Sequence, residues 1–519
     1  MSVDLTGSRR RGGRRTGGDH AWVPLTVVVV GASIAVGVLV ARGNFTAYAV
    51  LAAFALGVAV WIFTDHLFGV LVVWVAVEGI AYPFVRYPWY HNLYTFDRFM
   101  IVAMGAALVF VTWPKMTKTS ARLAIAFVVF AVVYGLRAFF TNPLPAPPKY
   151  GGINFADVSP YQPQADWLDT VAFPCIVFLV AACTITRERW EKLAAALTFL
   201  GASVAAMGIL EWIFGFKLAP LAHAIPFVDT QAGVVRVSGP YSDITAYGGV
   251  LVTCLAASLY WTQLRKAYVL GGAAVLIEIV GLAPSFTKTI WGAAFAVLVI
   301  SLGLRRRFSI RTVLVTVYTT GAVLFVYALL STDPVVKERV STSTNANFIA
   351  RVGDYIQGIY IFQHWPVFGA GIDQFIAAQQ FVPFVSISDI AATPSAHNSF
   401  LSVLAETGLV GFLPFAFLVF AMAALVRAWR RRARTNEEVL FAIMLLAATV
   451  GNLLMSLTLV EIYYSPSGTF LALVLGAAAA RLNTMTASRP AARSMNGSRL
   501  HAPRAGPRAP RPAPVLSKR

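Results

Sequence analysis

Charge is what this chain lacks. Of its 519 residues only 13% are Asp, Glu, Lys or Arg, while 58% are hydrophobic and the mean hydropathy is +0.68. A soluble protein of this length could not cover its surface with so few polar side chains. Cysteine is scarce as well: Cys175, Cys183 and Cys254 sit in apolar blocks without a CxxC pair. That pattern suggests neither a disulfide framework nor a zinc site. There is no GxxxxGK[ST] loop, no dinucleotide fingerprint and no internal repeat, so nothing in the sequence points to nucleotide use.

What is present is a series of apolar blocks near twenty residues, the length of a bilayer-crossing helix. They run 22–41, 45–64, 67–82, 98–113, 121–140, 167–186, 193–213, 244–263, 267–283, 288–304, 311–331, 398–426, 439–459 and 467–481. The expected fold is all-α, a polytopic transmembrane helical bundle of about fourteen spans. The first block is long for a signal peptide and has no small-x-small cleavage site, so it reads as a retained helix. The expected organisation is a basic cytoplasmic tail over 1–20, a transmembrane domain over 21–481, and a disordered basic cytoplasmic tail over 482–519. That last segment holds no Asp or Glu and cannot form a core.

The formal net charge of +19 reads as a topology signal rather than a nucleic-acid footprint. With the N-terminus inside and the blocks alternating, 31 of the 42 Lys and Arg residues fall on the cytoplasmic side. Both termini are then cytoplasmic, and segments 141–166, 214–243 and 332–397 face outward. In the largest, Phe348, Ile349, Val352, Tyr355, Ile356, Ile359 and Tyr360 recur at helical spacing. The spacing fits a helix on the outer bilayer surface or one packed on the bundle.

The candidate chemistry gathers at these outer ends. His397-Asn398-Ser399-Phe400-Leu401 stands where the largest outer loop enters a membrane helix. A histidine there can take a proton from a hydroxyl, or simply cap the helix. Arg236, Lys288 and Arg351 come from three other segments. Each could snorkel to lipid headgroups, or together they could hold an anion such as a lipid pyrophosphate. Glu78, Glu211, Glu278, Glu406 and Glu461 lie in apolar blocks, as functional groups or as partners of the cations. Glu406 follows His397 by nine residues, about 13 Å along a helix, and reads as structural. Tyr82, Tyr87, Trp89, Tyr90 and Tyr94 fit an interfacial aromatic belt, with sugar stacking as the alternative.

Several of these segments together resemble the O-antigen ligase and O-antigen polymerase superfamily. The pattern His-Asn-x-x-Leu-x6-Gly, from His397 to Gly408, is similar to that family's hallmark. Pro366-Val367-Phe368-Gly369-Ala370-Gly371-Ile372-Asp373-Gln374-Phe375 resembles its P-x-x-G-x-G segment, with Arg351 fifteen residues before Pro366. Arg236-Val237-Ser238-Gly239 is similar to its R-x-x-G segment, and Pro284-Ser285-Phe286-Thr287-Lys288 stands at its Ser-x-Ser-Arg-Gly-like helix start. Lys288 departs from the pattern, which has Arg there; Lys keeps the charge and loses the bidentate fork.

The resemblance implies the C class of membrane glycosyltransferase folds with a large extracytoplasmic loop. It implies transfer of glycan from an outward-facing polyprenyl-pyrophosphate donor to an acceptor hydroxyl, in a bacterial inner membrane. Attack opposite the leaving group would make the transfer inverting, and with a good leaving group and no Asp-x-Asp pair in the outer segments it is expected to be metal-independent. On this reading His397 and Arg236 are catalytic, and Arg236, Lys288 and Arg351 bind the pyrophosphate, with Asn398, Glu406 and Glu211 in support. The implied partners are the lipid-linked donor, a glycan, lipid or wall-polymer acceptor and membrane lipid, with no cofactor and no nucleic acid. A transporter such as a lipid-linked oligosaccharide flippase has a similar span number. It would show repeat symmetry and helices broken at midplane, where this chain has asymmetric loops and its notable residues at one face.

Overall fold

The computed structural model describes residues 59, 66–81, 96–142, 144–145, 162–214, 236–241, 243–304, 351–383, 395–459 and 466–487. The chain divides into two compact units, 1–66 and 67–519, and the second carries the features that follow. Among the described residues there is no strand. The protein is a polytopic helical membrane protein, as its apolar blocks require.

The helices, in chain order, are α1 (66–76, continuing into a π-turn, Val77–Ala81), α2 (Phe96–Ala107), α3 (Lys118–Phe140), α4 (Gln162–Trp167) and α5 (Phe173–Thr184). Next come α6 (Arg187–Phe214), α7 (Ile244–Arg265), α8 (Tyr268–Leu282), α9 (Lys288–Gly303) and α10 (351–364). The last are α11 (Phe375–Gln379), α12 (Ser399–Arg432), α13 (Asn436–Ser456) and α14 (Ser467–Ala487). Seven are long and apolar enough to cross a membrane: α3, α6, α7, α8 with its 3-10 extension, α12, α13 and α14. Three shorter apolar helices span His66–Ile80, Leu168–Thr184 and Lys288–Gly303. Blocks 22–41 and 311–331, nearly all of 45–64, Glu461 and the aromatic group at 82–94 lie outside the described residues.

Local sequence sets the helix starts. Thr117 accepts from the Ser120 N–H at the head of α3, and Asp243 from the Thr245 N–H at the head of α7. Thr435 and Glu438 form a capping box on α13. Large apolar side chains are turned outward on many spans: Phe199 is 72% exposed, Phe295 65% and Phe420 73%. That is costly in water and natural in lipid.

The two ends of the bundle differ in chemistry. At one end Arg187 pairs with Glu437 and, along its own helix, with Glu191. Arg265 pairs with Glu191 and Arg481 with Glu437, each at 2.6 Å. The Thr117 N–H donates to Asn483 Oδ1 at 2.8 Å. The starts of α3, α6 and α13 therefore meet the ends of α7 and α14, the grouping expected from the distribution of Lys and Arg. Arg236, Lys288, Arg351 and His397 are carried at the far ends of these helices or on the segments joining them.

Two details position the site. Between α4 and α5 the chain makes a π-turn, Leu168–Ala172, whose Asp169 is held by Arg98 of α2 through two hydrogen bonds of 2.9 and 2.6 Å. Inside α12 the helix breaks at Gly408, with φ 61° and ψ −160°. Helix α10 packs on the bundle, with Ile361 fully buried and Gln357 3% exposed, which decides between the two placements its spacing allowed.

Candidate functional site

Arg236 opens a tight turn. The Glu211 carboxylate, at the end of α6, accepts from the Ser238 and Gly239 N–H groups at 3.1 and 2.8 Å. Gly239 has φ +56°, a region open to glycine at little cost. The Val237 N–H donates to the Pro284 carbonyl at 3.2 Å, which ties the Arg236 turn to the segment before α9. Glu211, expected in support of the site, is thus the acid that shapes the Arg236 turn.

Lys288 stands in the first turn of α9, exposed, with no acid beside it in that turn. Ala283–Ser285 form a 3-10 turn and Phe286 is left-handed at φ 47°, so the chain reverses sharply into the helix. A cation at a helix N-terminus is set against the helix dipole, and an anion there would be favoured by both.

The end of α13 draws the remaining pieces together. The Arg351 guanidinium donates to the Thr458 carbonyl, and Thr458 Oγ1 shares a 2.6 Å hydrogen bond with Thr289 Oγ1, next to Lys288. Tyr355 Oη and Asn398 Nδ2 both donate to the Leu457 carbonyl, at 3.0 and 2.9 Å. Ser399 donates to the Leu459 carbonyl through its N–H and its hydroxyl, at 3.2 and 3.0 Å. Three consecutive residues, Leu457 to Leu459, therefore collect Arg351, the α9 start and the His397 turn.

His397 itself is left-handed at φ 46°, immediately before Asn398 caps α12 by accepting from the Phe400 and Leu401 N–H groups. Its Nε2 lies 3.9 Å from Asp354 Oδ2 on α10. Burial, then the nearby Arg351 charge, push the imidazole down to about 4, so His397 is neutral at neutral pH. Arg236, Lys288, Arg351 and His397, scattered over 162 positions of sequence, belong to one end of the fold.

A second group of charges lies where 366–371 crosses α12. The Ala370 and Gly371 N–H groups donate to the Ala405 and Glu406 carbonyls, both at 2.9 Å, and the Leu409 N–H donates to the Pro366 carbonyl at 2.9 Å. The loop thereby occupies backbone groups that the break at Gly408 releases. Arg137 Nη2 reaches the Gly369 carbonyl at 3.4 Å. Glu406 accepts from the Asp373 N–H and lies near the carboxyls of Asp373 and Asp166. Loss of solvation raises the Asp373 carboxyl above the usual carboxylate range. Asp354 and Arg137 are absent from the residues singled out by motif, and Asp373 stands in the P-x-x-G-x-G segment with no role assigned to it there. Asp354, one helical turn after Arg351, was the one with a readable signal.

Metal-ligand clusters of three or more His, Cys, Asp or Glu are not formed among the described residues. No curated protein matches the chain. Residues 250–416, which contain Lys288, Arg351, His397 and both halves of the Gly408 crossing, match the family model described as O-antigen ligase, a match that supports assignment to the O-antigen ligase superfamily.

Proposed function

We propose that this protein transfers a glycan from a polyprenyl-pyrophosphate donor, displayed on the outer face of a bacterial inner membrane, to an acceptor hydroxyl. The match of residues 250–416 to the O-antigen ligase family supports glycan transfer in cell-envelope assembly. The observation that carries the finer reading is the junction at Leu457–Leu459, which links the Arg351 guanidinium, the α9 start bearing Lys288 and the His397 turn.

On this reading both termini and the Arg187–Glu437 end are cytoplasmic. Arg236, Lys288 and Arg351 hold the donor's pyrophosphate and stabilise its charge as it leaves. The acceptor oxygen attacks the anomeric carbon while the carbon–oxygen bond to the pyrophosphate breaks. The electron pair leaves with polyprenyl pyrophosphate, and the hydroxyl proton passes to His397. Attack opposite the leaving group inverts the anomeric centre. The donor's own pyrophosphate linkage supplies the driving force, so no nucleotide is needed, and charge stabilisation by side chains takes the role a metal would otherwise fill. Glu211 supports the site by holding the Arg236 turn, Asn398 by holding the His397 turn.

The test is substitution with the protein's amount in the membrane monitored. His397→Ala and Arg236→Ala should each abolish transfer with normal membrane insertion. Full transfer by His397→Ala removes the general-base role, and loss of either variant from the membrane fraction assigns the residue to folding instead. The two defects should not add, because both residues act on one step.

A further inference from the structure

We propose that Asp354 is a positioning residue for His397, which orients the imidazole by its Nε2 side and stabilises the imidazolium while His397 Nδ1 holds the acceptor's proton. This deepens the glycan-transfer reading and rests on it. The geometry comes first. Asp354 Oδ2 is 3.9 Å from His397 Nε2, with side chains 15% and 33% exposed. That separation is too long for a direct hydrogen bond and short enough for a strong charge interaction, or for contact after a small closure around the donor. The Nε2 side faces a carboxylate, so the neutral ring is best placed with its proton on Nε2 and its lone pair on Nδ1.

The frame around the pair is stiff. Asp354 rides on α10, whose neighbouring side chains Arg351 and Tyr355 are both tied to carbonyls of the 457–459 segment. His397 is fixed from the other side, since Asn398 caps α12 and also reaches the Leu457 carbonyl. One short segment therefore sets the distance between acid and imidazole. A base held by a third group in this manner keeps its tautomer and orientation through proton transfer.

Among the described residues, the charges beside His397 are Arg351 and Asp354, both on α10. Asp354 also acts on Arg351 and Tyr355. In the free protein Arg351 opposes a second positive charge on His397. A bound pyrophosphate would neutralise Arg351 and leave Asp354 to support the imidazolium. Donor binding would thus raise the basicity of His397 at the moment it is needed. In the transfer step the acceptor O–H bond breaks, its proton moves to His397 Nδ1, the new glycosidic bond forms, and polyprenyl pyrophosphate departs with the electron pair.

The experiment is a pH–rate profile for the purified full-length chain in lipid, using a polyprenyl-pyrophosphate glycan donor, for the wild type, Asp354→Asn, Asp354→Glu and His397→Ala. Asp354→Asn should lower kcat between about 10- and 100-fold and leave the donor KM within about twofold. It should also move the acid limb of kcat to lower pH by about one unit. Asp354→Glu, which restores the charge, should recover most of the rate and the limb. Wild-type kcat and an unmoved limb in Asp354→Asn, beside an inactive His397→Ala, would overturn this proposal and leave the transfer reading standing. So would a rate loss that Asp354→Glu fails to rescue while the limb stays in place. No product from the wild type would overturn the transfer reading, and this inference with it.

Discussion

Gly369 and Gly408 cross backbone to backbone: a Cβ built on Gly408 would stand 2.5 Å from the Gly369 amide nitrogen. A Cβ on Gly369 would in turn run into the Glu406 carbonyl. Both residues have positive φ, +70° and +61°. With ψ at −160°, Gly408 lies in a region essentially closed to side chains. The last glycine of the His-Asn-x-x-Leu-x6-Gly pattern and the first of P-x-x-G-x-G are therefore two halves of one contact. Gly408→Ala should destabilise the protein by roughly 2 kcal/mol or more, from backbone strain and displacement of the 366–371 loop together. Thermal unfolding in detergent checks this. A midpoint equal to the wild type's would mean the crossing does not hold the fold.

The acid limb of activity follows from His397. The base must be neutral, and burial with Arg351 pushes its pKa down to about 4. The group titrating in free enzyme should thus leave kcat/KM rising with pH through about 4 and flat, as far as His397 is concerned, toward neutrality. Donor pyrophosphate brings negative charge, favours the protonated imidazole and should lift the limb of kcat above that of kcat/KM. Arg351→Gln removes the opposing charge, so its kcat/KM limb should also lie higher. A limb at the same pH in Arg351→Gln as in the wild type would contradict the proposed coupling.

Lys288 tests the phosphate reading by a gain. Lys288→Arg should keep activity or raise it, because a guanidinium fork matches phosphate better than a point charge. Lys288→Ala should raise the donor KM. Unchanged donor kinetics in Lys288→Ala would place that residue outside the site, and would leave Arg236 and Arg351 as the proposed ligands.

Orientation is checked by cysteine labelling with an impermeant reagent. Residues 332–397 are expected to face outward, so a cysteine at Ser343 should label in intact cells and one at Ser309 should not. The reverse pattern would invert the bundle and place His397 in the cytoplasm.

Much of this fold is legible in the sequence for reasons particular to membranes. A span must satisfy its backbone internally, so apolar length alone announces a helix, and α3, α6, α7, α12 and α13 stand close to where their blocks predict them. The motif residues were legible because a cation or a histidine at a helix end in lipid is costly and therefore noticeable. Their assembly was not. It runs through main-chain carbonyls of Leu457, Thr458 and Leu459, which any side chains could supply. Asp354 carries a spacing signal, one helical turn after Arg351, that gains meaning only once His397 is known to be its neighbour. Helical spacing alone reads Glu406 as structural, paired with a base. Its carboxylate adjoins Asp373 and Asp166, a partnership set by the crossing at Gly408 and invisible to helical spacing.

On the proposed function this protein forms a glycosidic bond at the expense of a lipid pyrophosphate linkage. The direct measurement is the product made by purified protein in lipid vesicles from a polyprenyl-pyrophosphate glycan and an acceptor, with chelator present and without nucleotide. A larger glycan product, together with released polyprenyl pyrophosphate, is the predicted result. A ladder of repeat units would identify a polymerase and a single transfer a ligase. Movement of intact donor across the bilayer with no new bond, or a strict need for added metal or nucleotide, would contradict the account.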